Sequence, residues 1–499
     1  MKRTGMRHAR LVIVLAAVVA VTVATRDARA AEPRLPPKPN VLFIVIDDLR
    51  DWVGYLGKNP QVKTPNLDRL AARGMAFTQS YCPAPVCNAS RAALLSGLRP
   101  STTGVYENNV DWRKVIPAEA TTLPLYFKTH GYYCAGAGKI YHEAYRRASD
   151  WDAYLPRGGI DPEDIEDGPK AKRKSRPKVP VADAGDGGVG GIRFRPLDSD
   201  DQDMEDYRSV TYCLKQLNRP HDKALFLACG LHKPHMPWNV PRKYYDMYPL
   251  DQIVLPKVLP NDLDDVPPAG VRMARPQGDH AAILKSGRWK DAVQGYLATI
   301  TFCDAMVGRL LDGFDKSPYK DNTIIVLWSD HGWHLGEKEH WRKFALWEEA
   351  TRSPLIWVVP GVTQPGTVCR RSVDFMHIYP TLCDLCGLPV PKHVEGESIR
   401  PLLANPAAPW EKPALMTYTY KNHAVRSEAW RYIRYASGDE ELYHNAADPY
   451  EWANLARHPQ YDARKAELAK WLPKADAPWP EDAAPKAAKK AKKRAKQAK

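Results

Sequence analysis

Continuous apolar runs that end in polar or glycine-containing segments are the main pattern along this chain. The clearest run covers residues 41–46 and reads Val-Leu-Phe-Ile-Val-Ile without a polar interruption. Such a run lacks the alternation of a half-exposed strand and is typical of a strand buried on both faces of a parallel sheet. Similar runs recur at residues 223–229, 323–328 and 355–359, and a weaker one covers 132–136. The pattern therefore predicts several buried strands.

Amphipathic helical segments lie between these predicted strands. The clearest has apolar residues at three- and four-residue spacing: Val293, Leu297, Ile300, Cys303, Val307, Leu310, Leu311 and Phe314. This spacing places them on one face of a helix. Alternating strands and helices predict an α/β fold with a large, mostly parallel central sheet flanked by helices. In such sheets, functional sites form beyond the carboxyl ends of the strands.

Two segments depart from this alternation. Residues 157–205 are rich in Gly, Pro, Asp and Lys and hold few large apolar residues, so we expect an exposed, partly disordered insertion. Over residues 395–475, the pattern predicts a small C-terminal α+β subdomain, with strands at 432–435 and 441–443 and a helix at 463–471.

The net charge of +14 over 499 residues is concentrated at the two ends of the chain. Residues 1–30 hold six Lys or Arg and one Asp, and residues 486–499 hold eight Lys or Arg and no acid. The body between them is nearly neutral, so we expect no nucleic-acid partner. Residues 476–499 read as a basic low-complexity tail. That tail is either solvated without a specific partner or binds polyanionic glycans or a surface.

The first thirty residues read as a secretory signal peptide. Four basic residues precede an apolar run at 11–24, and Ala28-Arg29-Ala30 fits a small-x-small cleavage site. We therefore predict an exported protein, periplasmic or secreted. The alternative is a membrane anchor, for which the run is short. Export allows disulfides, but the chain has nine cysteines, an odd number, so at least one is unpaired, and Cys87 is our candidate.

The cysteine at position 87 stands where a Pro-rich segment gives way to a predicted helix that ends before Gly97. A side chain at a helix start faces unpaired backbone N–H groups and the positive end of the helix dipole. Arg91, one turn further on, adds a fixed positive charge. This environment favours an anion, or a group that attacks one. The alternative is a buried or disulfide-bonded cysteine, paired for example with Cys82.

Acidic residues follow two of the predicted strands. Asp47 and Asp48 end the first, and Asp330 and His331 follow the run at 323–328. Clustered carboxylates repel one another and need a cation or a proton between them. Oxygen ligands suit Ca²⁺ or Mg²⁺, whereas the histidine alone would suggest Zn²⁺. For the aspartate pair alone, helix capping or solvation is the alternative reading.

Other polar residues near the predicted strand ends add cations and proton donors. Lys139 and Lys343 could neutralise a tetrahedral oxyanion together with Arg91. Three histidines near the predicted strand ends are candidate proton donors: His142, His232 and His235. Each residue taken singly also fits a surface charge or a structural histidine.

Taken together, these motifs resemble the type I sulfatases of the alkaline phosphatase superfamily. The segments found in the same order are Asp47-Asp48, Cys87 to Arg91 with Leu94-Leu95-Ser96-Gly97-Leu98-Arg99-Pro100, Gly138-Lys139, Pro234-His235-Met236-Pro237 and Ser329-Asp330-His331-Gly332. Within that family the chain is most similar to the iduronate-2-sulfatases, through Gly138-Lys139-Ile140-Tyr141-His142, His232-Lys233-Pro234-His235-Met236-Pro237, and Asp330-His331-Gly332-Trp333 leading to Trp341-Arg342-Lys343. The resemblance covers about residues 38–475. It implies an alkaline-phosphatase-like sandwich, with a catalytic domain at 38–394 and the C-terminal subdomain at 395–475.

The resemblance also implies a cofactor and a metal. A formylglycine-generating maturation enzyme would oxidise Cys87 to Cα-formylglycine, whose hydrate attacks the sulfur of a sulfate ester. The residues implied as metal ligands, for Ca²⁺ or alternatively Mg²⁺, are Asp47, Asp48, modified Cys87, Asp330 and His331. One departure is Ala89, where the usual modification signal Cys-x-Pro-x-Arg has proline. Alanine there resembles the variant accepted by the radical-type maturation route.

The remaining roles follow from the same resemblance. Arg91 would hold the hydrate, and Lys139 and Lys343 would bind sulfate oxygens. His235 would protonate the leaving alcohol, and His142 would take a proton from the second hydroxyl as sulfate leaves.

These inferences predict an exported, Ca²⁺-dependent sulfuric ester hydrolase that acts on a sulfated sugar or polysaccharide. One alternative is a phosphodiesterase or phosphonate monoester hydrolase of the same superfamily, because a phosphoryl group is also tetrahedral and anionic. The other alternative is a silent protein that binds sulfated glycans, which applies if Cys87 is not converted. The sequence assigns no oligomeric state.

Overall fold

A computed structural model of the chain describes residues 38–142, 145–159 and 187–480. The predicted signal peptide at 1–30 and residues 481–499 of the predicted tail lie outside these ranges. None of the helices that are described combines the length and apolarity needed to cross a membrane.

The described residues form strands and helices in alternation. In chain order the strands are β1 (Asn40–Asp47), β2 (Met75–Phe77), β3 (Ser80–Tyr81), β4 (Tyr132–Gly138), β5 (Ala153–Pro156), β6 (Phe194–Leu197), β7 (Ala224–Pro234), β8 (Trp238–Pro241), β9 (Thr323–Ser329), β10 (His334–Leu335), β11 (Trp341–Arg342), β12 (Leu355–Val358), β13 (Thr367–Cys369), β14 (Val373–Asp374), β15 (Ala414–Thr417), β16 (His423–Arg426), β17 (Arg431–Arg434) and β18 (Glu440–Tyr443). The α-helices are α1 (Pro65–Arg73), α2 (Cys87–Ser96), α3 (Pro100–Thr103), α4 (Leu123–Thr129), α5 (Glu205–Leu217), α6 (Arg242–Asp246), α7 (Pro268–Ala274), α8 (Asp279–Ser286), α9 (Trp289–Phe314), α10 (Glu348–Thr351), α11 (Ile378–Leu385), α12 (Arg400–Ala404) and α13 (Asp462–Ala469).

The central sheet has eight strands in the order β13-β2-β12-β9-β1-β7-β4-β5. From β9 to β5 all neighbours are parallel, so the predicted α/β fold with a mostly parallel sheet is confirmed. Strand β12 runs antiparallel to both neighbours. Its apolar run, like the others, predicts a parallel strand, and this prediction is wrong because an uninterrupted apolar run does not encode strand direction. Its carboxyl end therefore points to the opposite edge of the sheet.

Helices cover both faces of the central sheet. Alternate residues of β1 belong to two apolar clusters: Val41, Phe43 and Val45 to one, and Leu42, Ile44 and Ile46 to the other. Leu94 of α2 lies in the first cluster. The predicted apolar face of α9 lies in the second, since Val293 and Phe314 at its two ends are buried there. Burial on both faces explains why β1 has no polar residue between Asn40 and Asp47.

The C-terminal strands form an antiparallel sheet in the order β15-β16-β17-β18, and α13 follows them. This confirms the predicted strands and helix of an α+β unit to within a few residues. Ala424 and Ile433 pack in the same cluster as β1, and Glu348 of α10 pairs with Arg426 and Arg431 at 3.0 and 2.5 Å. The described residues thus form one compact unit, and the boundary at 394 and 395 stays a prediction.

The predicted exposed insertion at 157–205 is described only at its two ends, because 160–186 lie outside the described residues. At the second end, most residues are exposed or half-buried, but the expectation of exposure is wrong for Ile192 and Phe194. Ile192 and Phe194 are buried in the second cluster, and β6 pairs in parallel with β8. In the sequence, these two apolar residues stand among Gly, Arg and Pro. The composition of the whole segment therefore does not predict their burial.

Candidate active site

Helix α2 begins at Cys87, as the sequence predicts. Val86 before it is extended, with φ −150° and ψ 128°, and Gly97 after it adopts φ 73°. Glycine meets that left-handed conformation without strain, and a Cβ there would also approach Val394 at 2.8 Å. The side chain of Asn88 donates to the carbonyls of Glu107 and Val110, at 2.9 and 2.8 Å. The first turn of the helix is thereby tied to the loop beside it.

The acidic residues reach Cys87 from two neighbouring parallel strands. Ile46 of β1 pairs in register with Ser329 of β9, so the residues that follow each strand lie side by side. The backbone N–H of Asp48 donates to Asp330 Oδ1 at 3.0 Å. Ligand atoms from five buried side chains all lie within 4.8 Å of one another: Asp47, Asp48, Cys87, Asp330 and His331. The structure therefore brings together every residue predicted as a metal ligand.

Arg91 is buried beneath this cluster and bridges two of its carboxylates. Its Nη2 lies 3.1 Å from Asp47 Oδ1, and its Nε donates to Asp330 Oδ2 at 2.8 Å. Its Nη1 also donates to the backbone carbonyls of Lys139 and Ile140. The guanidinium thus has partners on both strands and on the segment after β4.

The two predicted lysines complete the charge balance. Lys139 donates to Asp47 Oδ2, and Lys343 Nζ lies 2.7 Å from Asp48 Oδ1 and 2.8 Å from the sulfur of Cys87. Burial alone would lower the pKa of each lysine, but the adjacent carboxylates raise both above their usual values. The three basic groups therefore stay charged and face three carboxylates.

The thiol of Cys87 is not activated by these cations. Burial raises its pKa above the usual range, although Lys139 and Lys343 act in the opposite direction. A thiol with a raised pKa is protonated at neutral pH and is a poor nucleophile. The unmodified side chain is thus suited to packing, with His331 Nε2 at 3.3 Å, rather than to attack.

Among the predicted histidines, His235 lies at the site. Its Nε2 is 3.9 Å from Asp48 Oδ2, and burial holds its pKa well below the usual value. His232, whose ring lies 4.6 Å from that of His235, has Nδ1 3.4 Å from Asp47 Oδ2. The carboxylate of Asp206 accepts from the backbone N–H groups of His232 and Lys233, at 2.7 and 2.9 Å, and so positions this segment.

His142 is placed less directly than the other predicted residues. Burial, followed by the positive charge of Lys139, lowers the pKa of His142 to about 4. His142 is therefore close enough to the site for the charge of Lys139 to affect it. Its ring stacks on Tyr145 with centroids 5.8 Å apart. Within the described ranges, no hydrogen bond or ion pair joins His142 to another predicted site residue.

The donor set fits a hard divalent cation. Asp48 Oδ2 is buried and has no hydrogen-bond partner among the described residues, and Asp48 itself adopts φ 60°. A buried carboxylate oxygen without a partner is costly unless a cation takes it up. Carboxylate oxygens dominate the ligand atoms, as Ca²⁺ and Mg²⁺ prefer.

No role is assigned from the sequence to several residues that support the site. Tyr296 of α9 donates its hydroxyl to the carbonyl of Asp48 at 2.7 Å, and Ser90 donates to the carbonyl of Asp330 at 2.6 Å. Ser329 Oγ accepts from the N–H of Leu49 at 3.0 Å. Tyr296 is 248 positions from Asp48, and no local pattern relates residues that far apart.

Comparisons of the sequence and the fold with known proteins identify related families and structures. A family model described as sulfatase covers residues 39–388, and one described as N-sulphoglucosamine sulphohydrolase, C-terminal, covers 336–477. A sulfatase of Formosa agariphila is 38% identical, over 89% of this chain and 88% of its own. Human iduronate 2-sulfatase is 30% identical, over 78% and 76%. The structure of phosphonate monoester hydrolase from Agrobacterium radiobacter superposes with a TM-score of 0.73 at 21% identity, covering 87% of this chain and 94% of that one.

The fold is alkaline-phosphatase-like, and in the described residues it holds a buried cluster of three carboxylates, a cysteine and a histidine. Within that class, the chain belongs to the sulfatase family and is a sulfuric ester hydrolase. The predicted family membership, including the similarity to iduronate-2-sulfatases, is confirmed.

Proposed function

We propose that this protein releases sulfate from sulfated sugars or polysaccharides, using a nucleophile derived from Cys87 beside a divalent cation, Ca²⁺ or alternatively Mg²⁺. The observation that carries the proposal is the position of Cys87 among three carboxylates, His331 and three basic groups, all of them buried. An anionic ester that reaches this centre meets the fixed positive charge of Arg91, Lys139 and Lys343.

The chemistry attributed to Cys87 requires its conversion to Cα-formylglycine by a maturation enzyme. That group would supply an aldehyde hydrate with two hydroxyls, one to accept the sulfuryl group and one to expel it as sulfate. The raised pKa of the buried thiol argues against the unmodified cysteine as the nucleophile, because the thiol itself would be protonated. Ser90 and Arg91, which hold Asp330 beside position 87, would keep the modified residue in place.

The cation would be held by Asp47, Asp48, Asp330 and His331. When bound, it would act as a Lewis acid that favours the ionised form of a hydroxyl. The chain's own residues account for the rest of the site. Lys139 and Lys343 remain charged and would bind sulfate oxygens, which stabilises charge as the ester bond breaks.

Proton transfer is assigned to two histidines. His235, on the side of Asp48, would donate a proton to the leaving alcohol. Because burial lowers the pKa of His235, this role requires the bound anionic ester to favour the protonated form of the ring. His142 would receive a proton from the second hydroxyl when sulfate leaves. Its pKa of about 4 keeps it neutral, as a base must be.

The substrate class and location are also part of the proposal. The name of the human relative, iduronate 2-sulfatase, supports a sulfated sugar, and iduronate 2-sulfate is the first compound to try. The basic apolar segment at 1–30 supports export to the periplasm or beyond.

The test is sulfate release from a sulfated uronic acid, an aryl sulfate and an aryl phosphodiester at equal concentration. We expect the wild type to release sulfate and the Cys87→Ala variant to lose this activity while keeping its fold by circular dichroism. Cys383→Ala, a buried cysteine of α11 outside the site, is the matched control and should stay active. Retained turnover in Cys87→Ala would refute the nucleophile, and dominant phosphodiester turnover would replace the proposed reaction.

A further inference from the structure

Three cavities beside the candidate active site share one basic residue, Arg275. An inner cavity of about 250 Å³ and a C-terminal cavity of about 320 Å³ are both also lined by Glu107 and Tyr418. A third cavity of about 310 Å³, beside α8, is also lined by Arg342. We call them the inner, C-terminal and α8 cavities. All three border Arg275, and we refer to this set of cavities as the groove.

The inner cavity adjoins the reactive residues directly. Val86 and Phe344 line it, and these residues are the chain neighbours of Cys87 and Lys343. The N–H of Phe344 donates to the carbonyl of Pro85 at 3.2 Å, which fixes the two segments against each other. A sulfate ester bound at Cys87 and Lys343 would therefore extend its alcohol portion into this cavity.

Arg275 is held by its backbone while its side chain is exposed. It ends α7 in a left-handed conformation with φ 54°, and its N–H donates to the carbonyl of Val271 at 3.2 Å. The neighbouring Ala274 carbonyl lies 2.7 Å from Nδ1 of His340, whose Nε2 lies 2.6 Å from the carbonyl of Lys343. One buried histidine thus connects the backbone beside Arg275 to the backbone of an active-site lysine.

The guanidinium of Arg275 is available to bind an anion, unlike the guanidinium of Arg342. Arg342 in the α8 cavity is paired with Asp279, at 2.6 Å between Nε and Oδ2. In the described part of the chain, neither Arg275 nor Arg272, which lines the C-terminal cavity, has a carboxylate within 4.0 Å. Two acids line cavities together with Arg275: Asp279, which is paired with Arg342, and Glu107. The single carboxylate of Glu107 offsets only part of the charge of the two guanidinium groups of Arg272 and Arg275.

The groove also offers flat apolar surface for a sugar ring. Phe344 and Tyr418 both line the inner cavity, with ring centroids 6.1 Å apart and planes tilted by 38°. Tyr435 also borders the C-terminal cavity, but it is buried and donates its hydroxyl to Glu441. Aromatic faces bind the apolar faces of sugars, while guanidinium groups bind carboxylate or sulfate through paired N–H donors.

We propose that Arg275, assisted by Arg272, binds a second anionic group of the substrate. The substrate of the proposed sulfatase is then a sugar with a carboxylate or a further sulfate in addition to the ester that is cleaved. This inference rests on the proposed function for the position of the first sulfate. It adds a subsite that selects doubly charged sugars over singly charged ones.

The test compares kcat/KM for three sugars: a neutral monosaccharide with one sulfate ester, a uronic acid with one sulfate ester, and a neutral monosaccharide with two sulfates. Arg275→Gln removes the charge and shortens the side chain, while keeping a polar group that can donate hydrogen bonds. We expect the preference for doubly over singly charged sugars to fall about tenfold or more, chiefly through KM, because a charge-assisted hydrogen bond is lost. The sugar whose KM rises more identifies the second group as carboxylate or sulfate.

Arg69→Gln is the control, since Arg69 pairs with Asp312 at 2.7 Å and lines none of the three cavities. Its substrate preference should match the wild type. An equal change for all three sugars in Arg275→Gln, or no change, would overturn the subsite. If the wild type releases no sulfate from any sugar, the proposed function fails instead. Calorimetric binding of the sulfated uronic acid to wild type and Arg275→Gln then decides the subsite alone, and equal affinities would overturn it.

Discussion

Replacing Arg91 with methionine tests whether the buried charges of the candidate site depend on one another. Methionine fills much of the same space but removes the charge and every N–H donor. The guanidinium pairs with Asp47 at 3.1 Å and with Asp330 at 2.8 Å, and all three side chains are at most 1% exposed. The substitution therefore leaves two carboxylates buried with one cation fewer.

The magnitude follows from the partners that remain. Removing one member of a buried ion pair costs about 3–5 kcal/mol, since the other charge is left uncompensated. Here Asp47 keeps its contact with Lys139, and Asp330 still accepts from the N–H of Asp48. Because of these remaining contacts, we expect the loss in unfolding free energy to lie near the lower end of that range, at about 3 kcal/mol.

Urea unfolding, followed by tryptophan fluorescence in the presence of a chelator, measures this loss. The chelator keeps a divalent cation from offsetting the missing charge. Arg69→Met is the matched control, because its pair with Asp312 is 37% and 59% exposed and should contribute at most about 1 kcal/mol. A loss below about 1 kcal/mol in Arg91→Met would refute the claim that Arg91 compensates the carboxylates.

Three further predictions concern the metal, the leaving group and the C-terminal sheet. Asp330→Ala should lose both bound Ca²⁺, by elemental analysis, and sulfate release, whereas surface Asp312→Ala should keep both; an active variant with full metal content would contradict the ligand assignment. His235→Ala should slow release from sugar sulfates by about 10²–10⁴-fold, but release from an aryl sulfate much less, because a phenolate needs no proton to leave. Equal slowing of the two would argue against a proton donor. Glu348→Gln should destabilise the protein by about 3 kcal/mol at pH 7, and this difference from the wild type should shrink as the pH falls below about 4 towards 2. A difference independent of pH would contradict the ionised state of Glu348.

The sign of the last prediction follows from the surroundings of Glu348. Burial alone would raise its pKa, but Arg426 and then Arg431 hold it well below the usual range. A group whose pKa is lower in the folded state stabilises the fold above its unfolded pKa. That stabilisation is lost as the pH falls through the folded value.

The sequence predicts the parts of this site that local patterns encode. An apolar run that ends in Asp47 identifies a buried strand and its carboxyl end, and α2 begins at Cys87 because extended residues give way to helix formers that end at Gly97. Two parallel strands then bring Asp48 and Asp330 together without any further information.

Other features depend on contacts between distant segments, which a single sequence does not encode. The direction of β12 is set by pairing with β9 and β2, and its apolar run fits either direction. Asp206 positions the backbone of His232 from another element, and neither residue predicts the other. Ile192 and Phe194 are buried within a segment whose composition indicates exposure, because two apolar side chains suffice to anchor β6.

The most direct test of the central claim is the mass of the peptide that contains Cys87, from protein made in its native host and shown to release sulfate. The account predicts that position 87 has the mass of Cα-formylglycine, with the fraction converted matching the fraction of active protein. An unmodified cysteine in fully active protein would contradict it, because the buried thiol, with its raised pKa, would then have to be the nucleophile.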